Sequence, residues 1–271
     1  MSHQISVEIF KPAITLSRYV QGIWVADSNH LKISGTTKHF ISDAASGFIF
    51  VLEGSIAIDG QLFEQGIVWQ PTRKTAYTIR FSPNSKVVGF RFKPAIGLVI
   101  CSELSTSTCQ LAQVDSPVEG LKLQLTELFN ELQHKSGKWH KISTVYRWLT
   151  VTIDFARVVP ESVSNLLQMI SPLSESTYGE QLSKSPRQLQ RQFSRWLNMT
   201  PTYYKRLIRV HQSVVALRSD TEINLATFAL AQGFSDQAHM TREFKAIANI
   251  TPYRFLQHCS DTALAIRPLT S

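Results

Sequence analysis

At 271 residues and 43% hydrophobic composition, the chain is long enough for two cores and too apolar for an intrinsically disordered protein. Its formal net charge of +8 suits a polyanionic partner; a membrane surface would satisfy the same charge, but no stretch approaches the roughly 18 continuous apolar residues of a membrane span and no basic segment precedes an apolar run at the N-terminus. Three cysteines, Cys101, Cys109 and Cys259, are odd in number and lack metal-ligand spacing, which excludes a disulfide framework and a thiolate metal centre and points to a cytoplasmic protein with reduced thiols.

From Gln21 to Lys93 the sequence is cut by Gly, Asp-Gly and Pro into short runs of β-branched and aromatic residues. Asp59-Gly60, between Ile56-Ala57-Ile58 and Gln61-Leu62-Phe63, has the residue types that accept two positive φ angles, so a type I′ hairpin is expected. Tyr77, Ile79 and Phe81 alternate along one strand and Val88, Phe90 and Phe92 along another. Arg80 and Arg91 alternate with those apolar positions and are expected to point outward into solvent. Many short strands imply a sandwich or small barrel. Such a barrel has room for a small molecule in a mostly apolar pocket with a few placed polar groups, although no effector-binding residues can be assigned. His30 and His39 are isolated and lie near loops, so no metal and no other cofactor is expected.

Between Ser116 and Val159 the periodicity turns helical. Leu121, Leu125, Leu128 and Leu132 form an apolar stripe that ends before Lys135-Ser136-Gly137, and a second helix is expected over Ile142 to Val158. The stripe fits either packing against a sheet or a homodimer interface. Val159-Pro160 marks a boundary, because proline disfavours a helical residue before it and can open the next helix. The organisation expected is a β effector domain over 1–115, linker or dimerisation helices over 116–159, a helical domain over 160–260 and a tail over 261–271.

In the helical domain, Glu161 to Ile170 forms a first helix that buries Leu166, Leu167 and Ile170, and Pro172 ends it. Ser174 caps a short helix to Leu182. Ser185-Pro186 with Gln188 then makes a capping box. Thr200-Pro201 opens the longest helix, roughly Thr202 to Ser219, with a stripe of Tyr203, Leu207, Val210, Val214 and Leu217. Its span of about 27 Å is close to the roughly 34 Å between successive major-groove faces. Asn224 to Gln232 follows, and Gly233 suits the left-handed turn at its end. Ser235 is the expected N-cap of the last long helix, with Asp236 favourably placed in its first turn. Met240, Phe244 and Ile247 share the buried face of that helix; Gln237, Ala238, Thr241, Arg242 and Lys245 occupy the other. Amides, a hydroxyl and cations on an exposed helix face are groups that base edges and phosphates can bond.

The same logic occurs fifty-one residues upstream, pairing Arg191 with Arg242, Phe193 with Phe244, Asn198 with Asn249, and Thr200-Pro201 with Thr251-Pro252. From Ser171 onward twelve Lys and Arg stand against seven Asp and Glu, so most of the positive excess lies in this part of the chain. A duplicated helix-turn-helix is the reading.

FALAQGFSDQAHMTREFK, with Phe228 where isoleucine is usual, resembles the second helix-turn-helix motif of the AraC/XylS family of bacterial transcription regulators; the resemblance covers roughly Ser171 to His258. The first motif is looser, with Glu175, Gly179 and Lys184 where the family has an apolar residue, an alanine and an apolar residue, so a less rigid first helix pair is expected. The resemblance implies an α+β chain of two domains, a cupin-like jelly roll with added helices followed by an all-α double helix-turn-helix. The β region is similar to a cupin but lacks its His-x-His, Glu and His ligand set. The resemblance also implies a non-enzymatic, sequence-specific regulator of double-stranded DNA, with RNA polymerase as a partner and a small-molecule effector. Arg187, Gln190 and Arg191 in the first motif, and Gln237, Ala238, Thr241 and Arg242 in the second, stand at the family's base-reading positions, while Arg195, Lys205, Arg206 and Lys245 suit phosphate. Arg191 and Arg242 fit either a guanine edge or a phosphate.

Overall fold

The computed structural model describes residues 6–28, 36–101, 104, 107–113, 119–155, 159–170, 186–218 and 223–258. Strands β1 (Ser6–Phe10), β2 (Val20–Asp27), β3 (Thr36–Phe40), β4 (Ser46–Glu53), β5 (Ile56–Ile58), β6 (Gln61–Phe63), β7 (Gly66–Gln70), β8 (Tyr77–Phe81), β9 (Lys86–Phe92) and β10 (Cys109–Gln110) pair antiparallel throughout. They form a six-stranded sheet, β1-β2-β9-β4-β7-β10, and a four-stranded sheet, β3-β8-β5-β6. The β5–β6 hairpin turns as expected, with φ of 48° at Asp59 and 87° at Gly60. Short helices α1 (Ile14–Ser17) and α2 (Ile96–Ile100) flank the larger sheet.

The larger sheet is covered on both faces. Toward the smaller sheet, Trp24, Ile49, Val51, Val68 and Val87 pack with Ile56, Ile58, Phe63, Ile79 and Phe81. The indole of Trp24 lies where a Cβ on Gly89 would be, 2.4 Å from its nearest ring atom, so only glycine lets it cross β9 at this depth. On the opposite face Phe48, Phe50, Trp69, Val88, Phe90 and Phe92 meet α3 (Glu119–His134) and α4 (Lys138–Thr152) through Leu125, Leu128, Leu132, Val145 and Leu149. The leucine stripe is thus buried inside this chain. The second of these helices starts and stops earlier than its apolar pattern suggested: Gly137, at φ 79°, opens it, and Ile153 is extended.

Double-sided burial overturns the outward placement of Arg91. Arg80 is exposed, but Arg91 is directed between the sheets, where it forms an ion pair with Asp43 and donates to the Tyr77 hydroxyl at 3.4 Å. Asp43 also accepts from the Gln21 amide at 2.7 Å and from Ala45 N–H at 3.1 Å. Burial would raise the Asp43 carboxyl, yet the Arg91 guanidinium, with His211 and these hydrogen bonds, holds it below the usual carboxylate range. Lys38, 2% exposed on β3, is shifted down by burial. Among the described residues no three His, Cys, Asp or Glu side chains cluster as a metal site; His39 is exposed, and His30 lies outside the described residues.

The C-terminal region is helical: α5 (Glu161–Ile170), α6 (Pro186–Leu197), α7 (Pro201–Leu217), α8 (Leu225–Ala231), α9 (Gln237–Ala248) and α10 (Pro252–His258). Pro160 precedes α5, and its carbonyl accepts from Val163 and Ser164, so the boundary proline opens a helix as expected. The side chains of Leu166, Leu167 and Ile170, the helix expected over 174–182 with Glu175 and Gly179, and Lys184 and the Ser185 cap lie outside the described residues. Along α7, Leu207, Val210, Val214 and Leu217 are fully buried, but Tyr204 takes the buried position expected for Tyr203. This is an α+β chain with an antiparallel, sheet-rich N-terminal region and a helical C-terminal region. No helix among the described residues is long and apolar enough to cross a membrane.

Candidate nucleic-acid interface

The second motif is built from local rules. Asn224 caps α8 by accepting from Ala226 and Thr227 N–H. At its other end Gly233 has φ 73°, Phe234 N–H donates to the Ala229 carbonyl at 2.9 Å, and Gly233 N–H donates to that of Leu230 at 3.0 Å. This pair of bonds is a Schellman closure, and it turns the chain sharply toward α9. The N-cap of α9 is Asp236 and not Ser235: the aspartate accepts from His239 N–H, while the Ser235 hydroxyl pairs with His239 Nδ1. The bond to His239 N–H holds the Asp236 carboxyl below its ordinary value. Asp236→Ala should therefore lower the melting temperature more than Ser235→Ala, measured by circular dichroism at 222 nm; an equal or reversed order would reassign the cap.

Met240, Phe244 and Ile247 are fully buried against α7 and Phe234, as their spacing required. On the other side Gln237, Ala238, Arg242 and Lys245 are exposed and Thr241 is half-buried, its hydroxyl donating to the Gln237 carbonyl at 2.8 Å. Helix α6 presents Arg187, Gln190, Arg191 and Arg195 to solvent above buried Phe193 and Leu197. Arg195 lies over the Trp196 ring at 4.6 Å, which keeps its guanidinium on that face. Trp196 is half-buried against the core. Lys205 is exposed. Arg206, expected to reach phosphate, forks onto Glu243 at 2.7 and 2.9 Å and so ties α7 to α9.

The fifty-one-residue repeat has a backbone cause. After α6, Asn198 takes the left-handed conformation at φ 52°, and after α9, Asn249 does so at φ 56°. Two residues later Thr200 accepts from Tyr203 N–H, and Thr251 accepts from Arg254 N–H. Pro201 and Pro252 then open α7 and α10. Asparagine tolerates the left-handed turn, threonine caps and proline fixes the first helical φ. Helices α6 and α9 thus end in the same stop-and-restart unit, which gives Arg191 and Arg242 equivalent places on two equivalent helices.

A family model described as a helix-turn-helix domain matches residues 178–258. These residues form an AraC-type helix-turn-helix domain. No curated protein sequence matches the chain. Among solved structures it is similar to ToxT from Vibrio cholerae O395, with 13% identity, a TM-score of 0.42, and coverage of 85% of this chain and 100% of that one. A second ToxT crystal form gives 11% identity, 0.43, and coverage of 93% and 98%. Unsaturated fatty acid-bound ToxT from strain SCE256 gives 13%, 0.40, and 88% and 95%.

A helix-turn-helix domain of this type implies DNA binding, and among the described residues α6 and α9 carry exposed cations on their solvent faces. Sequence reasoning did not single out Asn198 and Asn249 as left-handed turns, although their pairing was visible in the repeat. The Asp43–Arg91 pair was also missed, because its members are separated by several strands and neither stands in a motif.

Proposed function

We propose that this chain is a cytoplasmic, sequence-specific transcription regulator of the AraC/XylS type, reading two successive major grooves with α6 and α9 while its N-terminal region senses a small molecule. The observation that carries the reading is the duplicated unit of exposed helix, left-handed Asn, Thr cap and Pro, which displays Arg191 and Arg242 at equivalent positions. Arg187, Gln190 and Arg191 read one half of the site; Gln237, Ala238, Thr241 and Arg242 read the other. Arg195 and Lys245 hold phosphate. We assign the sensing role to residues 1–115, where Arg91, Asp43, Tyr77 and Gln21 form a hydrogen-bonded, largely buried polar cluster. Within residues 116–159, α3 and α4 support the sheet, and the reading domain is assigned to residues 160–260.

The test is selection of bound duplexes from random DNA. The wild-type chain should enrich a two-part site, with affinity falling steeply between low and physiological salt. Arg191→Ala should relax base preference in one half and Arg242→Ala in the other, each by about tenfold or more. Uniform weakening with smaller salt slopes and unchanged preference would make both arginines phosphate contacts.

A further inference from the structure

Both reading motifs touch the N-terminal region, each through a different element. Helix α2 lies beside α6, where Val99 and Ile100 join the apolar cluster that contains Phe193 and Leu197. The connection 71–76 between β7 and β8 reaches the second motif. Ala76 N–H donates to the Ile247 carbonyl at 2.6 Å, and the Asn249 amide donates back to the Ala76 carbonyl at 3.3 Å. Ile247 lies in the last turn of α9, where carbonyls have no intrahelical donor, so the N-terminal region supplies part of the cap of the second reading helix. From α7 the Tyr203 hydroxyl donates to the Lys74 carbonyl at 3.1 Å.

The connection is anchored at its other side. Ser42 Oγ donates to the Arg73 carbonyl at 2.5 Å, Thr72 Oγ1 donates to that of Ala44 at 3.3 Å, and Arg73 pairs with Asp59. These anchors flank Asp43, which the buried Arg91 holds. With all of these contacts in place, Arg187, Gln190 and Arg191 on α6 and Gln237, Arg242 and Lys245 on α9 remain exposed. The N-terminal region therefore grips the backs and ends of both reading helices without covering their faces.

We propose that the N-terminal region is a splint for DNA reading: α2 against the first reading helix and 71–76 against the second fix the two motifs relative to each other. The inference rests on the two-groove reading above. When two contacts are held at a set separation, the second forms at a high effective concentration; loosening one holder lowers that concentration and leaves each single contact intact.

The experiment compares the full-length wild type with the Tyr203→Phe/Asn249→Gly double variant. These changes remove the Tyr203–Lys74 and Asn249–Ala76 side-chain hydrogen bonds while keeping the Tyr203 ring and a residue at ease with positive φ at 249. Neither position is on a reading face. The probes are a duplex with both selected half-sites and duplexes with one half scrambled. On the two-part duplex the variant should bind about tenfold more weakly, and on single halves within about twofold of wild type. The Ala76 amide of the free variant should also exchange its hydrogen faster. Equal affinity on every duplex, equal losses on all of them, or tighter binding to the two-part site would each overturn the splint. A wild-type chain without sequence preference would overturn the two-groove reading and the splint with it, an outcome distinct from a wild type that selects DNA while the variant matches it.

Discussion

Phe244→Ala should destabilise the C-terminal domain by about 4 kcal/mol, the range for emptying a fully buried aromatic site. The ring has no solvent exposure and sits 6.4 Å, centroid to centroid, from Phe234, in the cluster that joins α7 to α9. Its loss removes apolar area and leaves a cavity that Met240 and Ile247, themselves fully buried, can fill only by shifting α9. Arg242→Ala, two residues or about 0.6 of a helical turn away on the exposed face, should change stability by less than about 0.5 kcal/mol. Urea unfolding followed by circular dichroism separates the two, and selection of bound DNA should show that Phe244→Ala loses one half of the site. A cost below about 1 kcal/mol would mean that the second motif is not packed as described.

Asp43→Ala should cost about 3 kcal/mol, because it strands the Arg91 guanidinium between the two sheets. The side chains of Asp43 and Arg91 are only 13% and 21% exposed, so water offers little compensation. Replacing both members, as in Asp43→Leu/Arg91→Met, should recover most of the loss, since the apolar interior accepts uncharged side chains without a desolvation penalty. Denaturant midpoints of Asp43→Leu, Arg91→Met and the double variant close the cycle; additive losses would show that the pair is not coupled. The pH dependence has a definite sign. The Asp43 carboxyl is held below its ordinary value, so its stabilisation is complete above about pH 3.8 and is lost as pH falls through the lowered folded value. His211 is also shifted down, by burial first and then by Arg91 and Arg218 against the pull of Asp43. Its contribution is complete above about pH 6.5 and declines as pH falls below that value, where the unfolded chain takes up the proton first. Asp43→Asn should flatten the acid limb of the stability curve.

Where structure follows from neighbours along the chain, the sequence was sufficient. Gly233, the Asp59-Gly60 turn, the Thr200-Pro201 and Thr251-Pro252 restarts, and the Met240–Phe244–Ile247 face depend on dihedral preference, a single capping bond or helical period, all of which act within a few residues. The repeat was legible for the same reason, since each copy satisfies the same local demands. Sequence spacing placed Ser235 one residue from the true cap, because serine and aspartate both accept hydrogen bonds and only the path out of the Schellman turn chooses Asp236. Tyr203 and Tyr204 border the same stripe, and the N-terminal region decides between them: Tyr203 crosses to Lys74 while Tyr204 packs inward. Arg91 was misplaced because alternation assigns one face of a strand to water, whereas the six-stranded sheet is covered on both faces. Its partner Asp43, the burial of the leucine stripe of α3, and the bond from Ala76 to Ile247 join residues far apart in the chain. Such contacts exist only after both elements are built and docked, so local composition carries the fold of each motif, and the tertiary structure alone decides how the motifs are held together.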